Sequence, residues 1–358
     1  MSNHSATLFV AIASLICSAS AISTGQKLKI WFPKYEYHWI GASESCESEL
    51  NDYWTDNRSR CWAVCACAAD CLLDHTTETI KSNMAAATVI LGFMPCVLTM
   101  LGPSVVEMSL LSTRHPLLAI LLSFASPALN LPHIYDSPAS LQDSLSTRTG
   151  FSTRKWHTWM EGLPTLGRTA VRLAECALAG GMLANTVHIS LYVDHRTVSG
   201  WRCSLRYLPL SWALAGGLVH LFGIIAIRFR QKAPPKSSDN SPGSRVKSAI
   251  KHVSCLLVVR PDQWKCVVNG QDGIIGETLF SLASLAGIGH IFFGVMVFSS
   301  LMFVGVLDTL PIVARYGISA VVCQAIVHLE LASMRLDIQK EGMSGNIDSD
   351  HWPSRSRE

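Results

Sequence analysis

Charge is the first thing this chain is short of. Lysine, arginine, aspartate and glutamate make up 15% of its 358 residues, where soluble domains carry roughly 25%. Such a chain, 49% hydrophobic and with a mean hydropathy of +0.28, suits a molecule whose outer surface faces lipid. The net charge of +3 is small. No basic helix is interleaved with aromatics, so nucleic acid is excluded as a partner.

Several chemistries are missing as well. There is no G-x-x-x-x-G-K-[ST] phosphate loop, which excludes an ATP-driven pump and argues for no nucleotide partner. There is no G-x-S-x-G elbow and no H-E-x-x-H zinc helix; "HLELAS", from His328, lacks the second histidine. No G-x-G-x-x-G opens a helix after a strand. "GIGHIFFG", from Gly287, sits inside an apolar run, where glycines let helices approach closely. The expectation is no cofactor and no metal.

What is present is a series of apolar runs long enough to cross a bilayer as helices, about 20 residues each. Seven candidates are Ala6–Ile22, Met84–Val106, the short Leu117–Leu131, Ala174–Val193, Leu208–Ile227, Thr278–Val306 and Pro311–Leu331. Lipid offers no partner for exposed backbone groups, so helices are expected, and the alternating pattern of a membrane barrel is absent. The fold class is all-α: a polytopic transmembrane helical bundle of about seven spans, six if the first segment is a cleaved signal. Residues 1–22 are then a first span or a signal peptide: Ala19-Ser20-Ala21 suits a signal-peptidase site, but no Lys or Arg precedes the apolar run. Residues 23–83 are a polar, cysteine-containing region, 84–331 the bundle, 228–277 a large basic loop within it and 332–358 a polar tail. "KAPPKSSDNSPGSRVKSA", residues 232–249, reads as a disordered part of that loop.

Basic residues choose between topologies. With seven spans and the N-terminus outside, 24 lysines and arginines fall inside and 5 outside, as the positive-inside rule asks. A rival removes the first segment as a signal and lets the third dip without crossing. Residues 22–83 then face the lumen and the split is 19 to 10. Removing the signal while keeping six true spans inverts the count and is set aside. The expected location is a multi-pass endomembrane protein of the endoplasmic reticulum.

Topology also decides the chemistry of "CWAVCACAADC", Cys61 to Cys71, with Cys46 upstream. In the lumen disulfides are the default. In the cytosol the thiols stay reduced and zinc is thinkable, but C-x3-C-x-C-x3-C lacks the spacer of a structural zinc site. On a helix Cys61 and Cys65 share one face and Cys67 and Cys71 lie around the other side. Small apolar residues on a helix face is the plain reading; disulfides and zinc are the others. Asn57-Arg58-Ser59 is an N-glycosylation sequon usable only on the luminal side.

Ionisable groups in or beside membrane segments mark functional sites by default. The seven-span threading puts Glu107, Asp194 and Asp308 toward the outer face, with Arg114, His195 and Arg315 nearby. Toward the inner face lie Glu175, Glu277 and Glu330, with Arg172, His328 and Arg335; His188, His220 and His290 are deeper. The plain alternative is that such acids pair with a neighbouring arginine or cap a helix, where the dipole favours them. Glu107 stands out in "GPSVVEMSLL": it is apolar on both sides, with no basic residue within one turn. A carboxyl in such surroundings favours its neutral form and reads as a general acid.

Two resemblances bear on function. "NDYWTDNRS", Asn51 to Ser59, resembles the second metal-binding motif of class I terpene synthases through Asn51, Asp52 and Thr55. Ser59 stands where an acidic ligand belongs, and the chain has no Asp-Asp pair for the partner motif. It also loosely resembles the N-D-x-x-D signature of membrane prenyltransferases, at the wrong spacing. A polar loop is the better reading. The run "SNMAAATVILGFMPCVLTMLGPSVVEMSLLSTRHPLLAILLSFASPAL", Ser82 to Leu129, resembles fungal integral membrane proteins. Among named groups it is similar to the membrane-bound terpene cyclases of fungal meroterpenoid pathways, of the ascofuranone type. That resemblance implies redox-neutral cyclisation of a lipophilic prenyl chain, begun when a carboxylic acid protonates an epoxide or olefin. Such chemistry needs a buried acid, apolar or aromatic walls and excluded water. The expectation is therefore a membrane-embedded cyclising enzyme with Glu107 as proton donor and Asp194 or Asp308 stabilising the developing cation. Its partners are a lipophilic substrate and membrane lipid. The alternatives are a transporter, channel or accessory protein, and a seven-span receptor. No inverted repeat or pair of Gly/Pro-broken helices stands out for the transporter.

Overall fold

The computed structural model describes residues 27–130, 151–201, 203, 205–229 and 274–349. The first candidate segment, most of the basic loop and the last residues of the tail lie outside them. Five helices are long and apolar enough to cross a membrane. They are α4 (Glu78–Thr99), α8 (Thr165–Arg196), α9 (Leu208–Phe229), α10 (Ile274–Ser299) and α11 (Val306–Ser349). Between 28% and 56% of each apolar window is buried within the chain. The rest, such as Phe93 and Val97 on α4 and Leu285 and Phe292 on α10, is apolar surface with no protein cover. A surface of that kind suits contact with lipid.

The cysteine-containing region folds as a cap from three short helices, α1 (Glu36–Ser45), α2 (Glu47–Thr55) and α3 (Val64–Asp74). Trp31, Trp39, Leu50 and Leu72 fill its core together with Phe303 from the α10–α11 connection. Trp39 meets Phe303 edge-on at 5.1 Å. Disulfides join Cys46 to Cys71, Cys61 to Cys67 and Cys65 to Cys203. The last one runs from the cap to the α8–α9 connection. Beside it a two-residue ladder, β1 (Val198–Ser199) with β2 (Leu301–Met302), ties that connection to the one after α10.

These links correct the seven-span threading, which put residues 22–83 and the loop after Asp194 on opposite sides of the bilayer. A disulfide cannot cross a bilayer, so both lie at one end, called here the cap end. The rival topology shares this placement; its removed first segment lies outside the described residues.

The second and third candidate segments also differ from expectation. Met84–Val106 is not one helix. α4 stops at Thr99, and α5 (Val105–Arg114) starts afresh after Gly102-Pro103. Pro103 lacks the N–H that would continue the ladder. Leu117–Leu131 supplies only the ten-residue α6 (Pro116–Ala125), with proline at its first turn. About 15 Å of helix is too short to span. α5 runs away from the cap end, turns at Arg114-His115 and returns as α6. The chain then continues without helix through 126–130, where Ser104 and Asn130 form a parallel bridge. α6 packs on α8 and α9, and α5 packs on α9. Backbone of this irregular kind is tolerated at membrane depth only inside protein. α7 (Phe151–Gly162) packs on α11, which runs on to Ser349 through residues expected as polar tail.

Close packing holds the break in place. A Cβ on Gly102 would lie 2.7 Å from the Ala128 carbonyl oxygen, and one on Gly216 3.2 Å from His290 Nε2. Trp212 sits at the centre, stacked on His290 at 5.2 Å and edge-on to Tyr316 and Phe298.

Candidate functional site

The three acids singled out in the sequence do not converge. Asp194, in the last turn of α8, is buried and accepts from Lys27 Nζ at 2.9 Å. The same ammonium donates to the Leu205 carbonyl at 3.1 Å. Burial holds Lys27 below the ordinary lysine range, and the Asp194 carboxylate offsets part of that. Asp308, in the first turn of α11, accepts from the Lys34 backbone N–H at 3.4 Å. Both acids sit at the cap end and fasten residues 27–34 between α8 and α11.

Glu107 belongs elsewhere, at the start of α5. Its Oε2 accepts from the Ser104 N–H at 2.9 Å, and the Ser104 hydroxyl accepts from the Glu107 N–H at 3.1 Å. This is a capping box. Gln324 Nε2 on α11 adds a longer contact at 3.4 Å. Both N–H groups are aimed at the same carboxyl oxygen. The geometry accounts for Glu107 as the group that starts the helix after the break.

A different set of acids does converge, at the end remote from the cap. α8 supplies Arg172 and Glu175, α11 supplies Glu330, and the α5–α6 corner supplies His115. Arg172 Nη1 donates to Glu175 Oε2 at 3.1 Å and also to Glu330 Oε1. His115 Nε2 lies 3.4 Å from Glu330 Oε2. The Glu330 side chain is 1% exposed and that of His115 28%. Among the described residues neither Glu330 Oε2 nor Glu175 Oε1 has a hydrogen-bond partner. Two carboxyl groups thus share one guanidinium, and among the described residues an imidazole lies beside the second of them. No hydrogen bond joins Glu330 Oε2 to His115 Nε2 among the described residues. The sequence pointed to Glu175, Glu330 and Arg172 as a layer, but did not reveal His115; its corner becomes visible only once Leu117–Leu131 is seen to turn back.

Buried polar groups also line the middle of the bundle. Ser190 and Tyr316 hydroxyls bond at 2.8 Å, Thr186 donates to the Ala125 carbonyl at 2.8 Å, and His290 Nε2 lies 2.9 Å from the Trp212 carbonyl. His220 is fully buried, with neither ring nitrogen well partnered among the described residues. These groups gather where α6 ends and the backbone runs without helix.

In the cap, donor atoms of Cys46, Cys71 and His75 lie within 4.8 Å of one another. The two sulfurs are bonded to each other. A disulfide sulfur is not the thiolate a zinc ion needs.

Comparison with known proteins returns nothing. No family model, no curated protein sequence and no solved structure matches the chain.

Proposed function

We propose that this is a membrane-embedded enzyme performing acid–base chemistry on a lipophilic small molecule, of the terpenoid class implied by the resemblance of Ser82–Leu129. The observation that carries the reading is the Arg172–Glu175–Glu330–His115 set, two carboxyl groups on one guanidinium inside apolar helices. The proton donor is assigned to Glu330 with His115, in place of Glu107, whose carboxylate is occupied by the helix start. Glu330 Oε2 passes its proton through the partly buried His115 to an epoxide oxygen or olefin carbon of the substrate. The cation closes a ring, loses a proton to the resulting base, and the set returns to its starting charge. No redox change occurs.

A second reading is favoured by one observation. The interruption between α4 and α5, with irregular backbone at 126–130, is the form taken by helices that bind solutes in carriers. Here the same acid set would carry the coupling proton.

The test compares wild type, Glu330→Gln and Glu107→Gln at equal expression, in microsomes fed prenyl phenols and their epoxides. Loss of product by about 100-fold or more is expected for Glu330→Gln, the scale of a general acid. Full activity in Glu330→Gln, with loss in Glu107→Gln, returns the donor to Glu107. No product from wild type with any substrate removes the enzyme reading, and proton-driven uptake into proteoliposomes then tests the carrier.

A further inference from the structure

Arg315 lies within a candidate span and, among the described residues, pairs with no acid. Arg315 is nine residues into α11, about 14 Å along the helix from its cap-end start. Its Nε donates to Asn185 Oδ1 at 2.8 Å and its Nη2 lies 3.1 Å from His188 Nδ1. Asn185 is itself fixed, its amide donating to the Arg315 carbonyl at 3.0 Å and to Ser319 Oγ at 2.9 Å. Its partners are an amide oxygen and an imidazole nitrogen, and neither is a carboxylate. Among the described residues no carboxylate pairs with Arg315.

The guanidinium is therefore oriented but not neutralised. It carries five N–H donors in a planar fork, and the protein uses one or two of them. A charge at this depth is costly unless a counter-ion meets it. The neighbourhood is open to lipid: His188 is exposed, and Arg315 and Asn185 are partly so. Residues 185, 188, 192 and 196 follow one another on one stripe of α8, leading back toward the cap end. His188 stacks on Tyr192 at 6.3 Å, and the Arg196 guanidinium lies over the Tyr192 ring at 3.8 Å. A tyrosine followed by a second cation is what the headgroup layer favours. In the other direction Gly181, one turn from Asn185, has nothing within 4 Å of a Cβ position. That leaves room for a hydrocarbon chain beside the groove.

We propose that the groove between α8 and α11 binds an anionic glycerophospholipid, its phosphate on Arg315 and His188 and one acyl chain along Gly181. The occupant comes from the bilayer leaflet on the cap side. A planar guanidinium matches two phosphate oxygens at once, and Asn185 and His188 hold it in that orientation beforehand. The inference is independent of the acid set at the other end of the bundle.

The test is native mass spectrometry of the full-length protein released from nanodiscs holding equal phosphatidylglycerol and phosphatidylcholine. Wild type is expected to retain phosphatidylglycerol, and Arg315→Gln to retain about tenfold less, the scale of losing one charge-assisted hydrogen bond. His188→Phe, at an exposed position, is expected to weaken retention as well, and decides the matter if Arg315→Gln does not fold. Equal retention of the two lipids by wild type overturns the proposal, as does retention unchanged in both variants. Displacement of the lipid by inorganic phosphate would show a free-anion site and overturn the lipid assignment.

Discussion

At the scale of single residues, the bundle separates acids that build from acids that are left over. Lys27 and Asp194 are a closed pair, both nearly inaccessible, at 2.9 Å. Removing one partner strands the other charge, at a cost of about 3–5 kcal/mol. Lys27→Met is expected to lower the thermal midpoint in detergent by several degrees, and Lys27→Met with Asp194→Leu to recover most of the loss. A midpoint unmoved by the single change would show the pair to be solvated. The acids at both ends were legible: Asp194, Glu175 and Glu330 stand out because charge is rare in apolar runs. Their partners were not. Lys27 is 167 residues from Asp194, and no local pattern encodes that pairing. The capping role of Glu107 was missed for a local reason. Ser104-x-x-Glu107 after Gly102-Pro103 is a legible helix start, hidden when Met84–Val106 is read as one span.

At the scale of elements, hydropathy locates the long helices well and the broken ones poorly. The expected fifth segment and α9 begin at the same residue, Leu208. α8 and α11 outrun their apolar cores because polar ends can continue a helix into water or against the cap. The α4–α5 break and the α5–α6 turn keep the hydropathy of a span while changing its path, so an apolar window does not register them. Packing at Gly102 is what makes the break possible. Gly102→Ala presses a methyl group onto the Ala128 backbone, with contacts of 2.7 and 2.8 Å to its carbonyl oxygen and carbon. A loss of about 1–3 kcal/mol is expected. Gly289→Ala on α10, where a Cβ meets nothing within 4 Å, is expected to be neutral or stabilising by about 0.5–1 kcal/mol. Chemical or thermal denaturation of the two variants checks the contrast; equal effects would mean that the break is not tightly packed.

At the scale of the whole molecule, the cap fixes which way the bundle faces. The positive-inside count favoured the 24 to 5 split over 19 to 10, yet the cap, with six of those basic residues, shares an end with Cys203. The rule weighs short loops, and longer folded regions translocate largely regardless of charge. Disulfides form and persist in oxidising compartments, so the three among the described residues favour the non-cytosolic side for the cap. Asn57 is exposed there within its sequon. Expression in a eukaryotic secretory host is expected to give a glycosidase-sensitive form that Asn57→Gln abolishes; a glycan still present in Asn57→Gln would place it elsewhere. The account depends most on the bond that ties cap to bundle. Peptide mapping of the membrane-extracted protein, alkylated without reduction, tests it directly. A cross-linked peptide pair containing Cys65 and Cys203, released only on reduction, is the predicted result. Both cysteines found alkylated before reduction would contradict the shared end, and with it the orientation of every span.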